Sequence, residues 1–154
     1  MTAYWLMKSE PNEVSIDDLA AAPKRTLPWT GVRNYQARNF MRDGMSAGDG
    51  VLFYHSSCPE PGVAGLARIA SGVRPDSTQF DAKSDYFDPK STAENPRWLE
   101  IDVTLVKKTR LLSLREMREA PSLATMRVLQ RGNRLSITPV SADEWKAVSA
   151  LLSR

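Results

Sequence analysis

The chain has 154 residues, of which 42% are hydrophobic and 25% are charged, and its formal net charge is +3. A chain of this length buries roughly 70% of its unfolded surface, so we expect a single domain over residues 1–154. Its apolar runs are shorter than the roughly 18 residues of a membrane-spanning helix, and its first residues lack the pattern of a signal peptide. The sequence therefore predicts a cytoplasmic protein with no membrane partner.

Cysteine and histidine are too scarce for several kinds of site. The chain has one cysteine, Cys58, and one histidine, His55. A lone cysteine excludes an internal disulfide, and the pair does not supply the ligands of a structural zinc ion. No nucleophile with a patterned base, phosphate-binding loop or dinucleotide-binding glycine motif is found. We therefore expect no metal, no cofactor and no catalytic residue.

Positive charge is concentrated in the last third of the chain. Residues 1–104 carry 11 Lys and Arg against 14 Asp and Glu, whereas residues 105–154 carry 10 against 4. Most of the excess lies between Lys107 and Arg134. Such clustering favours a polyanionic partner, and a solvated helix face explains the same charges equally well.

Short segments rich in apolar residues predict the strands. The clearest runs from Trp98 to Val106, where apolar and polar residues alternate, so we expect one buried face and antiparallel pairing. Gly62 and Gly65 predict a bulge or a close backbone approach in another strand. The expected strands cover residues 4–8, 51–56, 62–70, 98–106 and 135–138.

Capping signals and helical spacing predict the helices. Ser15 precedes Asp18, and Ser141 precedes Glu144, by the three residues of a capping box. The expected helices cover residues 15–22, 114–118 and 123–129, and a last one begins after Ser141. Short strands with peripheral helices, and no regular alternation of the two, predict an α+β fold with a small barrel or strongly curved sheet.

Segment 28–42 has the most unusual chemistry in the chain. It contains Trp29 and Tyr35 together with arginines, asparagines and a glutamine, and it has no acidic residue. Aromatic faces and planar hydrogen-bonding groups are what hold an unstacked nucleobase. The alternative is that Trp29 anchors the core and that residues 35–42 form an amphipathic helix.

Five motifs in consistent order span nearly the whole chain. They are YWLMKSEP at 4–11, WTGVRNYQARN at 29–39, FYHS at 53–56, QFD with YFDPKS and PRW between 79 and 98, and RGNRLS at 131–136. Together they resemble the EVE domain. The resemblance implies a PUA-like fold, a curved β-barrel of five to six mostly antiparallel strands with flanking helices, related to the YTH and ASCH domains. It also implies binding of DNA or RNA that carries a modified base, such as methylated or hydroxymethylated cytosine.

The looser similarity to YTH domains implies a base pocket near Lys8, Ser9, Trp29 and Trp98. A base out of its stack needs flat apolar walls and partners for its polar edges, and arginines suit its flanking phosphates. The expected pocket residues are Lys8, Ser9, Trp29, Val32, Arg33, Asn34, Tyr35, His55, Ser56 and Trp98. The arginines expected on phosphates are Arg33, Arg97, Arg131 and Arg134.

Some of these residues have structural alternatives, and so does the function. The alternative for Trp98 is that its side chain caps the core. The alternative for His55 is a structural role, with its imidazole hydrogen-bonded inside the protein. The long polar segment 72–97 is expected to be pinned by its aromatic residues and to form one wall of the pocket. Besides a reader of modified bases, the sequence allows an enzyme acting on a nucleotide or small molecule, or a scaffold that binds a protein through its basic last third.

Overall fold

The computed structural model describes residues 2–154. This part of the chain contains seven strands and four α-helices. The strands are β1 (Tyr4–Ser9), β2 (Thr26–Trp29), β3 (Gly50–His55), β4 (Gly62–Ile69), β5 (Arg74–Pro75), β6 (Leu99–Ser113) and β7 (Ile137–Val140). The helices are α1 (Ile16–Ala21), α2 (Tyr35–Asp43), α3 (Leu114–Glu119) and α4 (Ala142–Leu152). None of these helices combines the length and the apolar character needed to cross a bilayer.

The strands form one mixed sheet in the order β2-β6-β4-β3-β1-β7, with the short β5 paired to β6. Every pair is antiparallel except β1 with β3, which run parallel. The α+β class and the antiparallel pairing of the 98–106 segment are therefore confirmed. Within residues 2–154 no pairing joins β2 to β7, so the sheet is open and its two ends are not closed into a barrel by hydrogen bonds.

Several elements differ from the pattern of the sequence. Strand β2 was not predicted, because it has only four residues and contains Pro28, which is tolerated at a sheet edge. Strand β6 continues to Ser113, well past the alternating segment. Its register against β4 shifts twice, and each shift interrupts the alternation of apolar and polar residues. The helix predicted over 123–129 is wrong: two short 3-10 helices cover Pro121–Leu123 and Arg127–Leu129, and the backbone of Met126 between them is extended.

Capping boxes begin three of the four helices. The hydroxyls of Ser15 and Ser141 each accept a hydrogen bond from the backbone N–H three residues on. The carboxylates of Asp18 and Glu144 accept in turn from the backbone N–H of the serine. Both predicted boxes are confirmed, and Ser113 at the start of α3 forms another. These local bonds satisfy N–H groups that the first turn of a helix leaves unpaired.

The core lies on both faces of the sheet. Neighbouring residues of a strand point to opposite faces, so Leu6 and Leu52 pack in one apolar cluster while Met7 and Phe53 pack in the other. Helix α4 covers the first face, and α1 and α2 cover the second. This double burial explains why the first and third strands are apolar without alternation.

Gly62 and Gly65 lie where β4 approaches β6 closely, as the sequence predicted. A Cβ at Gly62 would lie 2.2 Å from the Leu112 carbonyl oxygen, and one at Gly65 would lie 3.0 Å from the Lys107 carbonyl oxygen. A register shift between the two strands falls between Val63 and Gly65. Only glycine allows the backbones to come this near.

Replacing Gly62 by alanine is therefore expected to lower the free energy of unfolding by at least about 1–3 kcal/mol, the usual cost of overpacking. The reason is that the nearest atom belongs to backbone, which cannot rotate away. Gly72→Ala is the matched control, because a Cβ there has no atom within 4 Å. Urea denaturation of both variants measures the difference, and equal stabilities would contradict the close approach.

Candidate functional site

A cavity of about 480 Å³ opens where β1 and β2 end. Its wall combines apolar side chains from the sheet with polar and charged groups from the connecting segments. Six of the residues predicted for the site line it: Lys8, Ser9, Trp29, Val32, Ser56 and Arg134. The size lies within the range of small-molecule sites, which are concave and hold a few polar groups on a mainly apolar wall.

The parallel pairing of β1 with β3 brings distant parts of the chain to the cavity. The N–H of Ser56 donates to the Ser9 carbonyl at 2.9 Å, which aligns the ends of the two strands. On the other side of β1, the N–H of Lys8 donates to the Ser136 carbonyl at 2.8 Å. This second bond sets Ser136 and nearby Arg134 on the cavity wall.

Trp29 is both a core contact and a cavity wall. Its ring meets Phe53 edge to face with 5.4 Å between the centroids, and it packs against the apolar cluster beneath α1 and α2. It remains only half-buried, because part of the indole lines the cavity. Trp29 therefore packs against the core and also lines the cavity, and its role in holding a base stays a prediction.

Lys8 is one of the basic residues that line the cavity. Burial lowers the pKa of its ammonium, since desolvation penalises the charged form. Its Nζ lies 6.0 Å from the centroid of the Tyr54 ring. The neighbouring Ser9 hydroxyl donates to the Val14 carbonyl at 2.7 Å, so its oxygen remains an acceptor toward the cavity.

Arg33 lies behind the cavity wall, where its donors are engaged by the protein. Its Nε and Nη2 donate to the Tyr86 carbonyl at 3.1 and 2.7 Å, and Nη1 donates to Asp76 at 3.2 Å. A further bond from Nη2 reaches the Thr78 hydroxyl at 3.0 Å. The structure thus places Arg33 as a clamp on segment 72–97, away from the cavity lining.

The remaining aromatic predictions meet outside the cavity. Trp98 is only 6% exposed and stacks on Tyr35 with 4.7 Å between the ring centroids. Its Nε1 donates to Asp88 at 2.7 Å. The Tyr35 ring is the outer member of this stacked pair. It is half exposed and covers Trp98 from solvent. Arg97, next in the chain to Trp98, also lies outside the lining.

Asn34 and His55 have local structural partners. The Asn34 side-chain oxygen accepts from the Ala37 N–H at 3.0 Å and caps α2. The Nε2 of His55 accepts from the Ile16 N–H at 3.1 Å, at the start of α1. Burial lowers the pKa of His55, and the nearby Asp17 opposes this shift. The ring is therefore held in the neutral form that this hydrogen bond requires.

Sequence reasoning missed the acidic side of the cavity. Glu10, Glu13, Tyr86 and Ser136 all line it. Glu10 directly follows Lys8 and Ser9 in the first motif, which was the signal available for it. Glu13 and Tyr86 are 73 residues apart in the chain, and no sequence pattern connects them.

Tyr86 confirms that segment 72–97 forms one wall. Its hydroxyl donates to Glu13 Oε2 at 2.6 Å, and this bond raises the pKa of Tyr86 to about 12. The ring lies against Gly31, whose φ is +85° and where a Cβ would lie 2.8 Å from the Tyr86 Cζ. Glycine is required at position 31 both for the backbone angle and for the contact.

Buried polar side chains pin the same segment to the sheet. Asp76 is fully buried and accepts from the N–H groups of Gly31 and Thr78 at 2.9 and 2.7 Å. Gln79 is also fully buried, and its amide bonds to the backbone of Asp76 and Trp98. The long segment is therefore an ordered wall in which buried polar groups have partners.

Solved structures share this architecture. A hypothetical protein from Leishmania major superposes with a TM-score of 0.94 at 47% identity, covering 99% of this chain and 96% of that one. An ASCH protein from Zymomonas mobilis superposes with a TM-score of 0.58 at 11% identity, which shows a common fold alone. The molecule is thus an α+β domain of the PUA-like class.

The family model of the EVE domain matches residues 3–151. Human thymocyte nuclear protein 1 is 41% identical over 169 aligned residues, which cover 98% of this chain and 74% of that protein. The crystal structure of the human protein in complex with DNA containing 5-methylcytosine superposes with a TM-score of 0.90 at 42% identity, covering 99% of each chain. The chain therefore belongs to the EVE domain family, as its motifs predicted.

The half-buried imidazole of His55 predicts a pH-dependent stability. Its folded pKa lies below the ordinary value of 6.5, so the unfolded chain binds the proton more readily. The contribution of neutral His55 to the free energy of unfolding is complete above about pH 6.5. It is lost as the pH falls through the folded pKa. Protonation also removes the acceptor for the Ile16 N–H.

In the variant His55→Gln, the amide oxygen provides an acceptor that does not titrate. We expect melting temperatures measured between about pH 7 and pH 5 to fall less steeply in this variant than in the wild type. Identical slopes would show that protonation of His55 does not contribute to the acid sensitivity of the fold.

Proposed function

We propose that this chain is a binding module that recognises a modified base in DNA, with the base held in the cavity at the ends of β1 and β2. The observation that carries the proposal is the composition of this cavity. Trp29 and Tyr86 supply aromatic surface, Lys8 and Ser9 supply polar groups, and Arg134 lies at the wall. Enzymes and receptors that take a base out of its stack use such a combination of flat surfaces and edge partners.

The family relationship supports the ligand class. A member of the same family, human thymocyte nuclear protein 1, has been crystallised with DNA containing 5-methylcytosine. Its structure covers 99% of this chain, so the cavity belongs to the part that the two proteins share. We infer that methylated cytosine, or a related modified base, occupies the cavity of this chain as well.

The cavity supports binding in preference to catalysis. Within residues 2–154, neither His55 nor Cys58 lines it, and the Ser9 hydroxyl donates to a backbone carbonyl and has no basic side chain as its acceptor. Nucleophilic catalysis requires a nucleophile with a base in hydrogen-bonding reach. We therefore propose a non-enzymatic function.

Trp29→Ala tests the aromatic wall. We expect it to weaken binding to a strand with 5-methylcytosine by about 1–3 kcal/mol, which is the usual contribution of stacking one base on an aromatic side chain. Because the ring is only half-buried, its removal is expected to destabilise the fold by less than the roughly 3–5 kcal/mol of a full core truncation. Titration of labelled oligonucleotides and urea denaturation measure the two effects on one protein.

The matched control is Trp98→Ala, which removes an indole that lies outside the cavity. This variant is expected to lose stability while retaining the preference for the modified strand. If Trp29→Ala, measured while fully folded, binds as tightly as the wild type, the cavity is not the binding site for the base.

The basic segment after residue 127 is expected to hold phosphates. Arg131 and Arg134 are exposed, and within the described part of the chain neither forms an ion pair. Replacing both by glutamine removes two phosphate contacts, so the slope of log affinity against log salt should become shallower by roughly 1.4–1.8. Affinities for modified and unmodified strands should fall equally, because phosphate contacts position the strand and base contacts specify it.

The control for charge alone is the double variant Arg115→Gln/Arg118→Gln. These arginines lie at a separate shallow depression next to Glu60 and Glu119. We expect this variant to keep the wild-type salt slope. If the two double variants change the slope equally, the effect of Arg131 and Arg134 reflects net charge and not contacts with phosphate.

A further inference from the structure

A carboxylate in the cavity of a DNA-binding protein needs a physical reason. Glu13 is exposed to solvent, and it lines the rim of the cavity together with Glu10. An unpartnered negative charge near a phosphate backbone is repelled by it, so a carboxylate there weakens binding unless the ligand offers a donor. Nucleobases offer donors only at ring N–H groups and at exocyclic amino groups, and carboxylates accept from the amino group of cytosine.

The backbone turn and one carboxylate oxygen of Glu13 are anchored by hydrogen bonds. The turn that carries it is closed by hydrogen bonds from the N–H groups of Glu13 and Val14 to the Glu10 carbonyl, at 2.9 and 3.0 Å. Its Oε2 accepts from the Tyr86 hydroxyl at 2.6 Å. Tyr86 is itself anchored, because Arg33 donates twice to its carbonyl oxygen. One oxygen of Glu13 is thus occupied, and Oε1 has no partner within residues 2–154.

We propose that Glu13 is the residue that selects bases with an exocyclic amino group, by accepting a hydrogen bond from that amino group on Oε1 while Tyr86 holds Oε2. The inference rests on the proposed function, since it places the modified base in the same cavity. It adds the class of base: an amino-bearing base, such as a modified cytosine, is accepted. A base with an oxo group at the same position, such as thymine, meets the carboxylate with a second acceptor and is rejected.

The experiment compares two DNA duplexes that differ at one base pair, 5-methylcytosine with guanine or thymine with adenine. Both target bases carry a 5-methyl group and differ at the position-4 substituent and the N3 proton. We expect wild-type protein to prefer the 5-methylcytosine duplex by about 5- to 150-fold, the range for a specific base-edge contact. The cost of opening each base pair belongs to the DNA alone, so it cancels when this preference is compared between protein variants.

Glu13→Gln is the decisive variant. Its side-chain oxygen still accepts from the Tyr86 hydroxyl, so the wall is preserved, and its amide now presents a donor to the base. We expect the preference for 5-methylcytosine over thymine to fall by at least about tenfold, equivalent to 1.4 kcal/mol. Glu10→Gln is the matched control, because it removes the same charge from the same cavity. It is expected to raise affinity for both duplexes equally and to leave the preference unchanged.

Tyr86→Phe tests the positioning of Glu13. This variant keeps the aromatic ring and loses the hydroxyl that holds Oε2, so the preference should fall while the binding of both duplexes persists. Circular dichroism confirms that each variant is folded, and the two substitutions test the proposal independently.

The outcomes separate this inference from the proposed function. If the wild type prefers 5-methylcytosine to unmodified cytosine but Glu13→Gln keeps the wild-type preference over thymine, the role of Glu13 is overturned and the proposed function stands. If Glu10→Gln lowers the preference as much as Glu13→Gln, general charge explains the effect and the specific role is overturned. If the wild type does not distinguish modified from unmodified DNA, both proposals fail.

Discussion

The buried carboxylate of Asp76 is the constraint on which the arrangement of the cavity depends. It accepts hydrogen bonds from the Gly31 N–H at the end of β2 and from Arg33, and it closes its own turn at Thr78. Breaking one side of a buried, hydrogen-bonded ion pair leaves the other charge without compensation. Segment 72–97 is thereby fixed to segment 30–33, and Tyr86 is placed where it lines the cavity.

The sheet provides the rigid part of the same site. Trp29 ends β2, Ser9 ends β1 and Ser56 directly follows β3, so these three residues project from the rim of a sheet that is buried on both faces. The register of β1 against β3 sets the spacing of Ser9 and Ser56, and the pairing of β2 with β6 places Trp29. A site built on strand ends is preorganised, which lowers the entropy that a ligand must overcome on binding.

Charge is distributed unevenly between two parts of the molecule. Arg131 and Arg134 are exposed, and in the proposed function they supply the long-range attraction for a polyanion, which salt screens. The cavity contains both a half-buried lysine and carboxylates, and such a mixture suits the polar edge of a base better than a phosphate. Under the proposed function, this division lets a domain with a modest net charge of +3 combine general attraction with selectivity.

The sequence by itself determined the elements whose signals are local. The alternation in residues 98–106, the capping boxes at Ser15 and Ser141, and the glycines of β4 each reflect contacts within one strand, one helical turn or one close approach. The order of the motifs also sufficed to identify the family. For the site, Lys8, Ser9 and Trp29 could be selected from short motifs alone, and the structure places all three at the cavity.

Only the tertiary structure decided which candidates share a site. Arg33, Tyr35 and Trp98 have the composition of a base-binding site, yet the hydrogen bonds of Asp76 and Asp88 and the stack of Tyr35 on Trp98 place them behind the wall. Glu13 and Tyr86 carry no local pattern, and they meet through a bond between segments 73 residues apart. Sequence patterns report periodicity and local bonding, whereas contacts between distant segments depend on how the sheet and its long connection pack in three dimensions.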